Sequence, residues 1–411
     1  MGTDTHQDTS RKERILKYLS NGCALAGLSI ALLTSRYVGM PMGALPWATA
    51  STLALWVISL VLGYSAFMSG VKAPSSSPLW IRLCGFVSAY SSLFLTLCIV
   101  CGYLFYPTVE KSFVAGWNAY FLMASLFVMG LAINADDWKR IVMAPRVVGI
   151  CVLLRWICIP LAAWAVAYGL FVKLLPGTVG QSLGVGIIIL GAAPTGTSSN
   201  AFTMIARGDL ALSVSVTTIN TLLAPFLLPF ITLWMAGSMA EVNVGAIFAD
   251  LVRLVIIPVG LGSILGSVFV KQCNRIKPAL GPAAVICLGL IMMGSMSKGT
   301  STLLRHLSIL PLLAGGCFVY TVVTYLIGFY LPKFAGLDVK QRTAACFEVA
   351  VTNAALTMTI AARHFSPLAV VVSIFYAKMM VVVGAVFFVP TFLRMAEKEA
   401  AAAREGELSR L

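Results

Sequence analysis

Gly191-Ala-Ala-Pro194-Thr-Gly196-Thr-Ser-Ser-Asn200 sits inside an otherwise apolar stretch, and its ten residues include one proline, two glycines and five hydroxyl or amide side chains. Proline removes a backbone donor and clashes with the carbonyl four residues back, and glycine costs about 1 kcal/mol relative to alanine in a helix. A regular helix is expected to stop here. At membrane depth, unwound backbone is tolerated only where protein or a water-filled cavity satisfies its polar groups. The stretch should therefore line a site. It is not a phosphate loop, because Gly191-x-x-x-x-Gly196 is followed by Thr197 and not by lysine. No Gly-x-Ser-x-Gly elbow for a serine hydrolase occurs either.

Composition settles what surrounds the stretch. Of 411 residues, 59% are apolar and 11% charged, with mean hydropathy +0.93. A soluble fold would need charged surface that this chain lacks, so its solvent is lipid. Apolar runs between charges and Pro/Gly breaks predict twelve spans, near 17–37, 46–70, 83–106, 114–134, 147–171, 181–206, 209–237, 244–270, 279–297, 307–331, 343–364 and 367–392. The expected fold class is an all-α polytopic membrane protein.

The net charge of +14 does not indicate nucleic acid, because the basic residues stand singly or in small groups between the spans. With the N-terminus inside, alternation places 20 of the 29 Lys and Arg in cytoplasmic segments, six outside and three within spans. That bias predicts both termini cytoplasmic. The ten cysteines are scattered through apolar segments, and the three histidines (His6, His306, His364) have no ligand spacing, so no zinc or haem site is expected.

Charged residues inside spans need a reason, since each costs about 2.5–3.5 kcal/mol on insertion scales. Arg155 lies nine residues past Arg146, about 13 Å deep, and Lys378 eleven past Pro367, about 16 Å deep. Glu348 sits in a glycine-free run from Ala344 to Ala362. These three are the functional candidates, with buried structural ion pairs as the alternative. Arg253 is expected instead to pair with Asp250 three residues earlier.

A second polar interruption, Phe347-Glu-Val-Ala-Val-Thr-Asn353-Ala-Ala-Leu-Thr-Met358, partly repeats the first: Asn353-Ala-Ala-Leu-Thr-Met against Asn200-Ala-Phe-Thr-Met. The copies lie in the sixth and eleventh spans, an offset of five that would invert the second relative to the first, and matching interrupted segments in two halves point to a transporter binding site. Between them Ser213 and Thr217 share a helix face, and Asn220 and Thr221 continue the stripe. Such hydroxyls can bond their own backbone. They can also join Ser199, Asn200 and Glu348 around a hard monovalent cation, which prefers oxygen ligands.

At these residues the chain resembles the bile acid/sodium symporter family. The resemblance rests on Pro194-x-Gly-Thr-x-Ser-Asn200, Ala206-x-Gly-Asp209-x-Ala-Leu-Ser213-x-x-x-Thr217-Thr, Leu-Leu-Ala-Pro225 and Glu348-x-x-x-x-Asn353, and on Phe127-x-x-Gly130-Leu with Asp136-Asp137 and Arg146. It covers roughly 80–395. It implies inverted repeats of five helices with two broken, crossing helices. The division is then 1–75 as a cytosolic tail with two extra helices, 76–395 as a ten-helix core, and 396–411 as a cytosolic tail.

The resemblance also implies a sodium site on Ser199, Asn200, Ser213, Thr217 and Glu348. The family's second sodium site uses two glutamines whose positions here hold Arg155 and Thr352. A guanidinium repels sodium, so Arg155 is expected to stand in for the second ion. Thr197, Asn353 and Lys378, with Arg155 and Thr352, are the expected substrate contacts. The implied function is sodium-driven import of a small organic anion, bile acid-like, pantoate-like or a keto acid, across a bacterial inner membrane. Proton-coupled or uncoupled transport is the alternative. An intramembrane enzyme would need a catalytic histidine or paired acids within a span, and a sensor would need a partner; the sequence offers no sign of either, nor of an obligatory protein partner.

Overall fold

The computed structural model describes residues 91–132, 145–175 and 177–408. The expected unit 1–75 with its spans 17–37 and 46–70, and the Asp136-Asp137 pair, lie outside them. The main helices in chain order are α1 (Ser91–Leu104), α2 (Asn118–Ala132), α3 (Pro145–Val172), α4 (Thr178–Ala192), α5 (Ser198–Ile205), α6 (Leu210–Ala236) and α7 (Val244–Val268). They continue as α8 (Val270–Arg305), α9 (Leu310–Phe334), α10 (Val339–Ala350), α11 (Ala354–His364), α12 (Pro367–Val383) and α13 (Val389–Leu408). Among the described residues the only extended pairing is one isolated bridge. Six helical stretches among the described residues are long and apolar enough to cross a membrane, and the chain is an all-α, multi-pass membrane protein.

Prolines shape three of these helices. The turns 154–158, 252–256 and 384–388 are π-helical, and each is followed directly by Ile159-Pro160, Ile257-Pro258 or Val389-Pro390. A proline cannot donate and crowds the carbonyl four residues back, so the preceding turn widens and the residue before proline bonds five residues back, as Ile159 N–H does to Leu154. The first wide turn carries Arg155 and Trp156 into the protein.

The helices fall into two groups. In one, α1, α2, α7 and α8 pack side by side. Their tightest crossing uses small residues, because a Cβ on Gly130 would lie 2.5 Å from the Val259 carbonyl oxygen and one on Gly262 would meet the Phe127 carbonyl. In the other, α3–α6 and α9–α12 surround α4, α10 and α11, whose residues are buried nearly all round. The broken segments thus lie in the protein interior, where their polar backbone finds partners. Large apolar side chains such as Trp234, Phe334, Val268 and Phe113 point outward, as a lipid-solvated surface requires.

The groups meet where α8 packs on α11 and α12, where Lys378 Nζ of α12 donates to Thr96 Oγ1 of α1 at 2.8 Å, and through Asp250 of α7. The expected Asp250–Arg253 pair does not form. The Asp250 carboxylate accepts instead from Arg363 (Nε 2.6 Å, Nη2 3.0 Å) and contacts His364 Nε2 at 2.8 Å, while Arg253 is exposed. The π turn beginning at Val252 alters the helical phase between the two residues, and a guanidinium fork from α11 reaches both carboxylate oxygens.

Candidate functional site

Both interrupted helices stop where the sequence indicates. α4 ends at Ala192, Ala193 is extended, and α5 starts at Ser198; α10 ends at Ala350, Val351 is extended, and Asn353 caps α11 by accepting from Leu356 N–H. The two unwound pieces pair antiparallel at Thr195 and Thr352. Gly196 N–H donates to the Val351 carbonyl at 3.1 Å and Asn353 N–H to Pro194 at 2.9 Å. A Cβ at Gly196 would sit 2.8 Å from the Thr352 carbonyl oxygen, so this crossing needs glycine.

On one face of the crossover lies Glu348, fully buried. Its carboxylate accepts from Ser199 Oγ at 2.5 Å, Ser213 Oγ at 2.6 Å and Thr217 Oγ1 at 2.9 Å to each oxygen. Asn200 Oδ1 joins the group, 2.7 Å from Ser213 Oγ and 3.4 Å from Thr217 Oγ1. The five residues come from α5, α6 and α10, and their oxygens converge on one point. A carboxylate, an amide oxygen and three hydroxyls make a hard, oxygen-only donor set with one formal negative charge, which fits an alkali cation and not a soft metal. No cluster of three His, Cys, Asp or Glu occurs among the described residues.

The opposite face holds Arg155, also fully buried. Its Nε donates to the Ala193 carbonyl at 3.0 Å and Nη1 to Val349 at 2.9 Å, while Nη2 reaches Leu190 at 3.3 Å, Thr352 Oγ1 at 2.9 Å and, more closely, Ala193. Thr352 is enclosed with it. Thr197 is exposed and Asn353 half-buried, so these two present polar groups at the rim of the crossover. Lys378 lies apart from both faces, at the seam between the helix groups.

Several supporting residues had no motif to announce them. Thr195 Oγ1 donates to the Glu348 carbonyl and accepts from Asn220 Nδ2, whose Oδ1 takes the Trp156 indole N–H. Tyr376 OH donates to the Ala350 carbonyl at 2.7 Å and lies 3.2 Å from Thr352 Oγ1. Asn220 was visible as part of a polar stripe, but its task of orienting Thr195 was not. Thr221 bonds its own backbone at Thr217 and stays out of the site.

Comparison with known proteins identifies the family. A family model described as the Sodium Bile acid symporter family matches residues 119–306. The uncharacterized sodium-dependent transporter YocS of Bacillus subtilis is 33% identical over 272 residues, 65% of this chain and 80% of the relative. The probable chloroplastic sodium/metabolite cotransporter BASS1 of Arabidopsis thaliana is 26% identical over 70% of this chain and 69% of its own. The human ileal sodium/bile acid cotransporter is 26% identical over 60% and 69%. With four-fifths of a sodium-dependent transporter matched at one residue in three, the chain belongs to the sodium bile acid symporter family.

Proposed function

We propose that the chain is a secondary active transporter that imports a small organic anion by binding one sodium ion at Ser199, Asn200, Ser213, Thr217 and Glu348. The observation that carries this reading is the convergence of those five oxygen-bearing side chains, from three helices, around one buried carboxylate beside a break in each of two helices. Unpaired, that carboxylate is costly to bury. A dehydrated cation neutralises it and replaces the hydroxyl protons, which turn away as the oxygens present lone pairs to the ion.

Sodium bound here holds α5, α6 and α10 together next to Thr197 and Asn353, so it raises affinity for substrate at the rim, and substrate raises affinity for sodium by the same factor. The two helix groups then rock about the crossover, with the halves acting as inverted repeats. Lys378 supplies the positive charge for the anion at the seam between the groups, where Thr96 holds its ammonium when no anion is present. In this reading the termini are cytoplasmic and the membrane is the bacterial inner membrane.

Thermal unfolding of the purified protein against a panel of organic acids, with sodium and with potassium, tests the reading. The expected result is stabilisation by an organic anion that needs sodium, and it gives ligand and ion linkage together. Stabilisation that ignores sodium and follows pH would transfer the coupling to a proton on Glu348. Lys378→Met should reduce anion uptake by about tenfold, the loss of one charge-assisted contact, while expression is unchanged; full uptake would remove Lys378 from the substrate path.

A further inference from the structure

We propose that the Arg155 guanidinium is a built-in cation that permanently fills one of two cation positions at the crossover, so that this transporter binds and moves a single sodium ion. The inference rests on the sodium site proposed above and adds its stoichiometry.

Helices α4 and α10 both run into the crossover by their C-terminal ends. The last carbonyls of a helix lack intrahelical donors, and the end carries roughly half a negative charge. Two such ends meeting in a protein interior demand donors and positive charge. Neutral groups meet part of the demand: Thr195 donates to the Glu348 carbonyl, Tyr376 to Ala350 and Gly196 N–H to Val351. Three further carbonyls, Leu190 and Ala193 of the first break and Val349 of the second, receive donors from Arg155, which also bonds Thr352 Oγ1.

Three carbonyls and a hydroxyl are a ligand set for a hard cation. The guanidinium makes no ion pair among the described residues; Glu348 acts on it only through space, and its direct ligands are the oxygens at the helix ends. A mobile ion does not fit a cage whose oxygens are already bonded to a fixed charge. Because α3 tethers the guanidinium through the wide turn before Pro160, it does not leave during a transport cycle. The second sodium expected of the family therefore does not suit these residues, and only the Glu348 face responds to the sodium gradient.

Saturable binding of radioactive sodium alone to the purified chain in detergent decides the matter. The wild type should bind one ion per chain with a Hill coefficient of about 1, and R155Q, which frees the three carbonyls and removes the charge, should bind two with a coefficient of about 2. E348Q should bind none. Two ions on the wild type, or one on folded, monodisperse R155Q, would overturn the built-in cation and leave the Glu348 site standing. No sodium on the wild type would overturn both. If R155Q does not yield folded protein, the wild-type stoichiometry decides alone.

Discussion

The two faces of the crossover treat buried charge in opposite ways. On one, a carboxylate is wrapped by hydroxyls and an amide; on the other, a guanidinium is wrapped by carbonyls and one hydroxyl. Hydroxyls rotate and can exchange a proton for a lone pair, so the Glu348 face can change partners without moving its backbone. Carbonyls at helix ends cannot rotate, and a planar fork that joins them fixes the backbone. One face is suited to an exchangeable ion and the other to holding two helix breaks in register. Mutations should separate these tasks.

The largest effect is expected on the rigid face. Arg155→Ala strips donors from three buried carbonyls, and each unpaired buried acceptor costs about 1–3 kcal/mol. The variant should lose about 3–9 kcal/mol of stability by the same accounting, less whatever water recovers, seen as a sharp fall in unfolding temperature and in folded yield. A variant as stable as the wild type would show that the breaks need no cation and would erase the distinction between the faces.

Glu348→Gln should behave the other way. The amide keeps an acceptor for Ser199, Ser213 or Thr217 and fills the same volume, so stability should change by no more than about 1 kcal/mol. Sodium affinity should fall by about 100-fold, the equivalent of about 2.7 kcal/mol, measured by sodium titration of the unfolding temperature. Sodium-dependent stabilisation that survives this change would show that the ion binds elsewhere.

How far these features could be read beforehand follows from which interactions are local. The breaks were legible because proline, glycine and clustered polar residues act on their own backbone, and Pro194, Gly196 and Asn353 mark their places within a residue or two. Ser213 and Thr217 were legible through helical spacing, and Glu348 through the cost of an acid in lipid. Tyr376 was hidden, since an aromatic on an apolar helix looks like packing until a carbonyl from another helix is found at its hydroxyl. Asp250 misled for a related reason. Its neighbour Arg253 is close in sequence, but Arg363 and His364 arrive from 113 and 114 residues away, and no periodicity reports a contact made by tertiary packing. The role of Arg155 was half legible: its depth pointed to a special residue, while its choice of carbonyls over Glu348 depends on the π turn that aims it.

A finer test compares two threonines one turn apart on α6. Thr217 Oγ1 touches both Glu348 oxygens, whereas Thr221 Oγ1 donates to the Thr217 carbonyl of its own helix. Valine has nearly the same shape as threonine, so each replacement removes a hydroxyl and little else. Thr217→Val should weaken sodium binding by about tenfold, or about 1.4 kcal/mol, because it removes one ligand of the proposed cage and one donor to the empty carboxylate. Thr221→Val should shift sodium affinity by less than about twofold, since the lost bond is a local one. Equal effects at the two positions would mean that the polar stripe tunes the helix as a whole and that the ion does not recognise Thr217, and the exchangeable face would then have to be redrawn around Ser199, Asn200, Ser213 and Glu348.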